Sequence, residues 1–129
     1  MPRDLKRSDK NEIRIKDSVS GETIVLYYRQ PTAEEHVKYH SDVTKFTDGK
    51  VEIDQKARID HAANILTGFR DGDIVLDGNP VSCAEGQPGY RDDWRELIKD
   101  TAADWLMILA GLVFEATYRE ETGVPFVKR

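Results

Sequence analysis

One run constrains this chain more than any other: Trp105-Leu106-Met107-Ile108-Leu109-Ala110-Gly111-Leu112-Val113-Phe114, bounded by Asp104 and Glu115 and without an ionisable side chain. It is too short to cross a bilayer as a helix, which takes about 20 apolar residues. It is also long for a central strand, usually about 5–6 residues. The run therefore reads as the middle of a buried helix, expected from about Ala102 to Tyr118. A helix that is apolar on all sides must be covered on all sides. Its densest stripe is Ala102, Trp105, Leu109, Leu112, Val113 and Ala116. Met107, Ile108 and Phe114 fall off that stripe and are the candidate partner-binding residues, for self-association or for an apolar helical partner. The alternative is that the N-terminal hairpin covers this second side.

The rest of the chain supplies what could pack around the run. Glu12-Ile13-Arg14-Ile15-Lys16 alternates as a half-buried strand does. After a turn at Ser20-Gly21-Glu22, Thr23-Ile24-Val25-Leu26-Tyr27-Tyr28 is rich in β-branched and aromatic residues, so the two form a β-hairpin. Pro31 ends the second strand, and Thr32-Ala33-Glu34-Glu35 fits a helix capping box. The helix it opens is expected to reach Phe46, with His36, Tyr39, Val43 and Phe46 on one stripe and Thr47-Asp48-Gly49 as its close. Asp54 caps a second helix whose face is Ile59, Ala62, Ala63, Leu66 and Phe69. Asp77-Gly78-Asn79, between Ile74-Val75-Leu76 and Pro80-Val81, signals a very short hairpin. Residues 84–90 read as loop. Arg91-Asp92-Asp93 starts a third helix carrying Trp94, Leu97 and Ile98. Thr101 with Asp104 imitates a capping box for the last one.

The expected fold is thus α+β and mainly helical: an N-terminal β-hairpin packed on about four helices. It forms a single domain over residues 11–129, preceded by a flexible basic N-terminus, residues 1–10. The expected core is Ile59, Leu66, Phe69, Trp94, Leu97, Trp105, Leu109, Leu112 and Val113.

Charge and cysteine content narrow the function classes. The net charge is −5, which argues against a nucleic-acid binder, whose footprint is usually basic. Residues 1–16 alone carry Arg3, Lys6, Arg7, Lys10, Arg14 and Lys16 against Asp4, Asp9 and Glu12, a local net of +3. This start reads as a solvated terminus or as an arm that meets an acidic surface. The single cysteine, Cys83, leaves no intramolecular disulfide to form, which suits a reducing cytosol. Met1 to Lys16 holds no apolar core stretch, so no signal peptide is expected and the protein should stay in the cytoplasm.

Four constellations could carry chemistry. His36 and His40 stand at i and i+4 but have no evident third ligand, so no metal site is expected. Asp71, Asp73 and Asp77 fail the calcium-loop pattern, since Val75 takes the fifth position and no glycine follows it. Cys83 has no adjacent histidine to activate it. Asp92 and Asp93 favour the positive end of a helix dipole rather than acid–base work. The expectation is a protein that is not an enzyme and needs no cofactor.

Two stretches resemble the tail assembly chaperones of long-tailed bacteriophages and prophages. The first is Tyr28-Arg29-Gln30-Pro31-Thr32-Ala33-Glu34-Glu35, then Tyr39. The second is Ile65-Leu66-Thr67-Gly68-Phe69, then Asp77-Gly78-Asn79-Pro80-Val81, then the helices holding Trp94, Leu97 and Leu109 to Phe114. The resemblance spans about residues 24–116. It departs from the family at Phe69, where many members carry Trp, and in a longer loop at 82–90, with Cys83 and Gly86-Gln87-Pro88-Gly89. The resemblance implies a protein without enzymatic activity or cofactor. It would bind the extended, apolar tape-measure protein during tail morphogenesis and be displaced as tail-tube subunits assemble. A minor tail or head–tail joining protein and a small prophage regulatory binding protein are the alternative classes.

Overall fold

Strands β1 (Asn11–Lys16) and β2 (Thr23–Tyr28) form the expected hairpin, in antiparallel register from Asn11 opposite Tyr28 to Lys16 opposite Thr23. The computed structural model describes residues 10–115. Residues 1–9 of the basic start and the tail from 116 onward, including the expected end of the last helix, lie outside the described residues. Ile13, Ile15, Ile24 and Leu26 point to the core side, as the alternation requires. Thr32 opens α1 (Ala33–Val43) through the expected capping box: Glu35 N–H donates to Thr32 Oγ1 at 3.1 Å, and Thr32 N–H donates to Glu35 Oε1 at 2.9 Å. Asp54 caps α2 (Gln55–Ile65) by accepting from Ala57 N–H.

Two helices are shorter than their apolar patterns predict, and each gives its last turn to a strand. α1 stops at Val43, not Phe46. Thr44 is already extended (φ −98°, ψ 120°), and Thr44–Thr47 (β3) pairs with Lys50–Ile53 (β4). The intervening Asp48 and Gly49 both take positive φ, 52° and 77°, the geometry of a two-residue hairpin turn. Asp-Gly thus closes a hairpin here rather than ending a helix, and Phe46 leaves the core. Likewise α2 ends at Ile65. Leu66–Phe69 becomes β5, antiparallel to β2, giving a three-stranded sheet in the order β1-β2-β5. The free edge of β2 offers Leu66–Phe69 a hydrogen-bonding partner that a further helical turn could not use.

The short hairpin at Asp77-Gly78 forms as expected, between Val75–Leu76 (β6) and Asn79–Pro80 (β7). α3 spans Trp94–Thr101 and α4 spans Ala103–Ala110, separated at Ala102 (φ −138°, ψ 41°). Thr101 does not cap α4. It belongs to α3, and its hydroxyl donates to Leu97 O at 2.6 Å. α2 packs against α1, α3 and α4. Among the described residues the architecture is mixed α+β, with four helices and small antiparallel sheets.

After Ala110 the chain widens into a π turn, Gly111–Glu115. This turn decides which side of the run faces inward. The buried face of α4 is Leu106, Leu109 and Ala110, with Ala102 buried just before it. In an unbroken α-helix Val113 would continue that face. The wider turn inserts a residue, so Phe114 takes its place at 1% exposure. Leu112, expected in the core, is 45% exposed, while Trp105, Val113, Leu97 and Ile59 are only partly buried. Leu66, Phe69, Trp94 and Leu109 are buried as expected.

Candidate partner-binding surface

Among the described residues, the β3–β4 hairpin carries an uncovered apolar surface. The hairpin rises between α1 and α2 and is closed at its base by Asp54 N–H donating to Val43 O at 2.8 Å. Its register sets Thr44 opposite Ile53 and Phe46 opposite Val51 on one face, with Lys45 opposite Glu52 and Thr47 opposite Lys50 on the other. Directly opposed residues share a face of a sheet, so this is an amphipathic ribbon. Its apolar face is open: Phe46 is 77% exposed, Val51 60% and Ile53 51%. An isolated two-stranded hairpin is marginal in water unless its apolar face is packed. Sequence reading missed this surface because it assigned Phe46 to a helical stripe. The signal that could have found it is Asp48-Gly49 between Phe46 and Val51, the same signal read correctly at Asp77-Gly78.

The residues expected to meet a partner divide. Ile108 of α4 is 48% exposed and, with Leu112 one turn on in the π turn, forms a second apolar strip. Met107 is half-buried. Phe114 is a correction: the π turn carries it inward, where it stacks on Tyr39 and meets the edges of the His36 and His61 rings.

A polar clasp fixes the end of α4 beside the hairpin base. Arg58 of α2 reaches Glu115 with Nε at 3.1 Å and Nη2 at 3.2 Å, and Tyr39 Oη donates to the same carboxylate. Burial, then the neighbouring Glu115 carboxylate, pushes the Tyr39 hydroxyl up to about 12. His40 Nε2 lies 3.1 Å from Phe114 O, and His61 Nε2 lies 2.8 Å from Asp42 Oδ2. These groups satisfy one another at a packed junction rather than line a cleft.

Most of the residues that could carry chemistry have structural partners. His36 and His40 both turn toward Phe114, and among the described residues no three His, Cys, Asp or Glu side chains gather as a metal set. Asp71 accepts from Ser82 Oγ, and Asp73 pairs with Arg70 and accepts from Val25 N–H, so the two do not converge. Asp77 is a turn residue at φ 51°. The Cys83 thiol bridges the outer edge of β5, accepting from Phe69 N–H at 3.4 Å with Phe69 O at 3.5 Å. Asp93 pairs with Arg91, which holds its carboxyl below the usual range. No helix among the described residues is long and apolar enough to cross a membrane.

The motif Arg29-Gln30-Pro31-Thr32-Ala33-Glu34-Glu35 makes the junction from β2 to α1. Arg29 grips Glu35 with two bonds of 2.8 Å, and Asn64 Nδ2 donates to the same carboxylate from α2. The Arg29 guanidinium holds the Glu35 carboxyl down to about 2. Comparison with family models, with curated proteins and with solved structures finds no match for this chain.

Proposed function

We propose that this protein is a binding protein that shields an apolar segment of a partner, and that it serves as a tail assembly chaperone of a long-tailed phage or prophage. In this reading it holds the tape-measure protein in the host cytoplasm until tail-tube subunits displace it. The observation that supports binding is the open apolar face of the β3–β4 hairpin, Phe46, Val51 and Ile53, at 51–77% exposure. Large contiguous apolar patches are unusual on a monomer's surface and mark interaction sites. These side chains stand on a ribbon whose backbone edges can also pair with an extended client, the strand-addition mode of peptide recognition. The tail-assembly assignment rests on the resemblance carried by the stretches from Tyr28 and from Ile65.

Co-expression tests the reading. The full chain should keep a tape-measure protein from the same tail gene cluster in the soluble fraction. Phe46→Thr with Val51→Thr keeps β-formers on the ribbon but removes its apolar face, and should lose that effect without unfolding the chain. A tape-measure protein that stays insoluble beside the wild-type chain would sink the proposal, as would finding this protein in the mature particle. The latter would make it a structural tail component.

A further inference from the structure

A second surface lies at the other end of α4. A groove of about 350 Å³ opens between the β1–β2 turn, residues 73–76 and the facing ends of α3 and α4. Its volume falls in the ~300–1,000 Å³ range of ligand clefts. Ile24, Ile74, Leu76, Leu97 and Trp105 form its apolar lining. Val19 and Val75 stand at its lip, 91% and 60% exposed, although both are apolar.

The charged residues that line the groove have one sign. Asp17, Asp73 and Asp104 line the groove, and among the described residues no lysine, arginine or histidine does. Arg70 meets the charge of Asp73. Among the described residues Asp17 is held by neutral donors, among them Ser20 N–H at 2.9 Å, Ser20 Oγ at 2.8 Å and Trp105 Nε1 at 3.2 Å. These bonds, the Ser20 backbone first, lower its pKa and keep it ionised at neutral pH. Asp104 is exposed in the first turn of α4. Among the described residues neither Asp17 nor Asp104 is in an ion pair.

We propose that this groove seats a segment of another protein whose apolar side chains are flanked by lysine or arginine. An apolar lining alone would accept any apolar segment. Covering it with an acidic or neutral one would desolvate the Asp17 and Asp104 carboxylates without a counter-charge, which is strongly unfavourable. A basic flank supplies that counter-charge and rejects acidic competitors. The groove shares no residue with the hairpin face. Trp105 lies in the groove, whereas Glu115 is clasped beside the hairpin base, so the two sites fail or stand separately.

Trp105 is a built-in reporter, since the only other tryptophan, Trp94, is buried against Phe69. The probes are a short amphipathic leucine–lysine helix peptide and its leucine–glutamate counterpart with the same apolar face. The leucine–lysine peptide should shift Trp105 emission and bind at least tenfold tighter at low salt. That advantage should collapse toward one near 1 M salt, where screening acts over about 3 Å. Trp105→Phe should abolish the emission response. Asp104→Lys should weaken leucine–lysine binding several-fold at unchanged melting temperature. Equal affinity for the two peptides, no binding, or indifference to Asp104→Lys would overturn the proposal. So would a full chain with Arg3, Lys6 and Arg7 changed to Gln that shifts Trp105 emission unaided and binds peptide more tightly. The groove would then belong to the chain's own basic arm.

Discussion

Tyr39 and Phe114 stack face to face, ring centroids 4.3 Å apart and planes 3° from parallel, although 75 positions separate them in the chain. Both are essentially buried, at 0% and 1% exposure. The stack ties the C-terminal half of α1 to the π turn beyond α4 and holds together the junction from which the hairpin rises.

Removing one ring should therefore be costly. Phe114→Ala should lose about 3–5 kcal/mol of stability, the range for truncating a buried aromatic. Leu109→Ala, one turn earlier on the same face, should lose about 2–5 kcal/mol. Denaturant unfolding measures both. A loss below about 1 kcal/mol for Phe114→Ala would mean that the π turn does not hold the ring in the core.

Ile108 and Leu112 are the opposite case. Ile108→Glu should leave the protein folded, with a stability change within about 0.5 kcal/mol, as is usual for surface positions. If α4 contributes to a partner or self-association surface, the same variant should lose oligomerisation or client binding by size-exclusion chromatography. An unfolded variant would show that this side is internal.

Glu35 should make the α1 start sensitive to acid. Its pKa is lowered from 4.5 to about 2, chiefly by the hydrogen bonds from Arg29. A depressed carboxyl pKa means that the folded state favours the ionised form. The stabilisation is present above about 4.5 and is lost as pH falls toward about 2. Glu35→Gln should be less stable than wild type at pH 7, with the gap closing between those values. Paired urea melts across that window would show it, and a constant gap would contradict the linkage.

Gly89 should resist substitution more than Gly72. Both have positive φ, 84° and 92°, but a Cβ at Gly89 would sit 2.2 Å from Pro80 O, whereas one at Gly72 would meet nothing within 4 Å. Gly72→Ala should cost about 1–2 kcal/mol for the left-handed backbone alone. Gly89→Ala should cost more, because residues 89 and 80 must separate. Equal melting temperatures for the two variants would refute the close approach.

Local chemistry was enough for the sequence to determine several features by itself. The alternation of Ile13 and Ile15 sets the first hairpin, Thr32 and Glu35 cap α1, Asp54 caps α2, and Asp77-Gly78 turns the short hairpin. Each depends on residues close in the chain, so the pattern carries the geometry. Tertiary structure decided the features whose partners are distant. Leu66–Phe69 fits the apolar face of α2 by period, yet the open edge of β2 draws it into the sheet. Asp48-Gly49 is the exception, a local signal that can end a helix or turn a hairpin; the pairing of Phe46 with Val51, only five positions away, selects the hairpin. Phe114 points inward because the Tyr39 ring and the grip of Arg58 on Glu115 accompany a π turn, one residue wider than the α period. Periodicity read along a single segment cannot contain that extra residue, because the groups that accompany it come from α1 and α2.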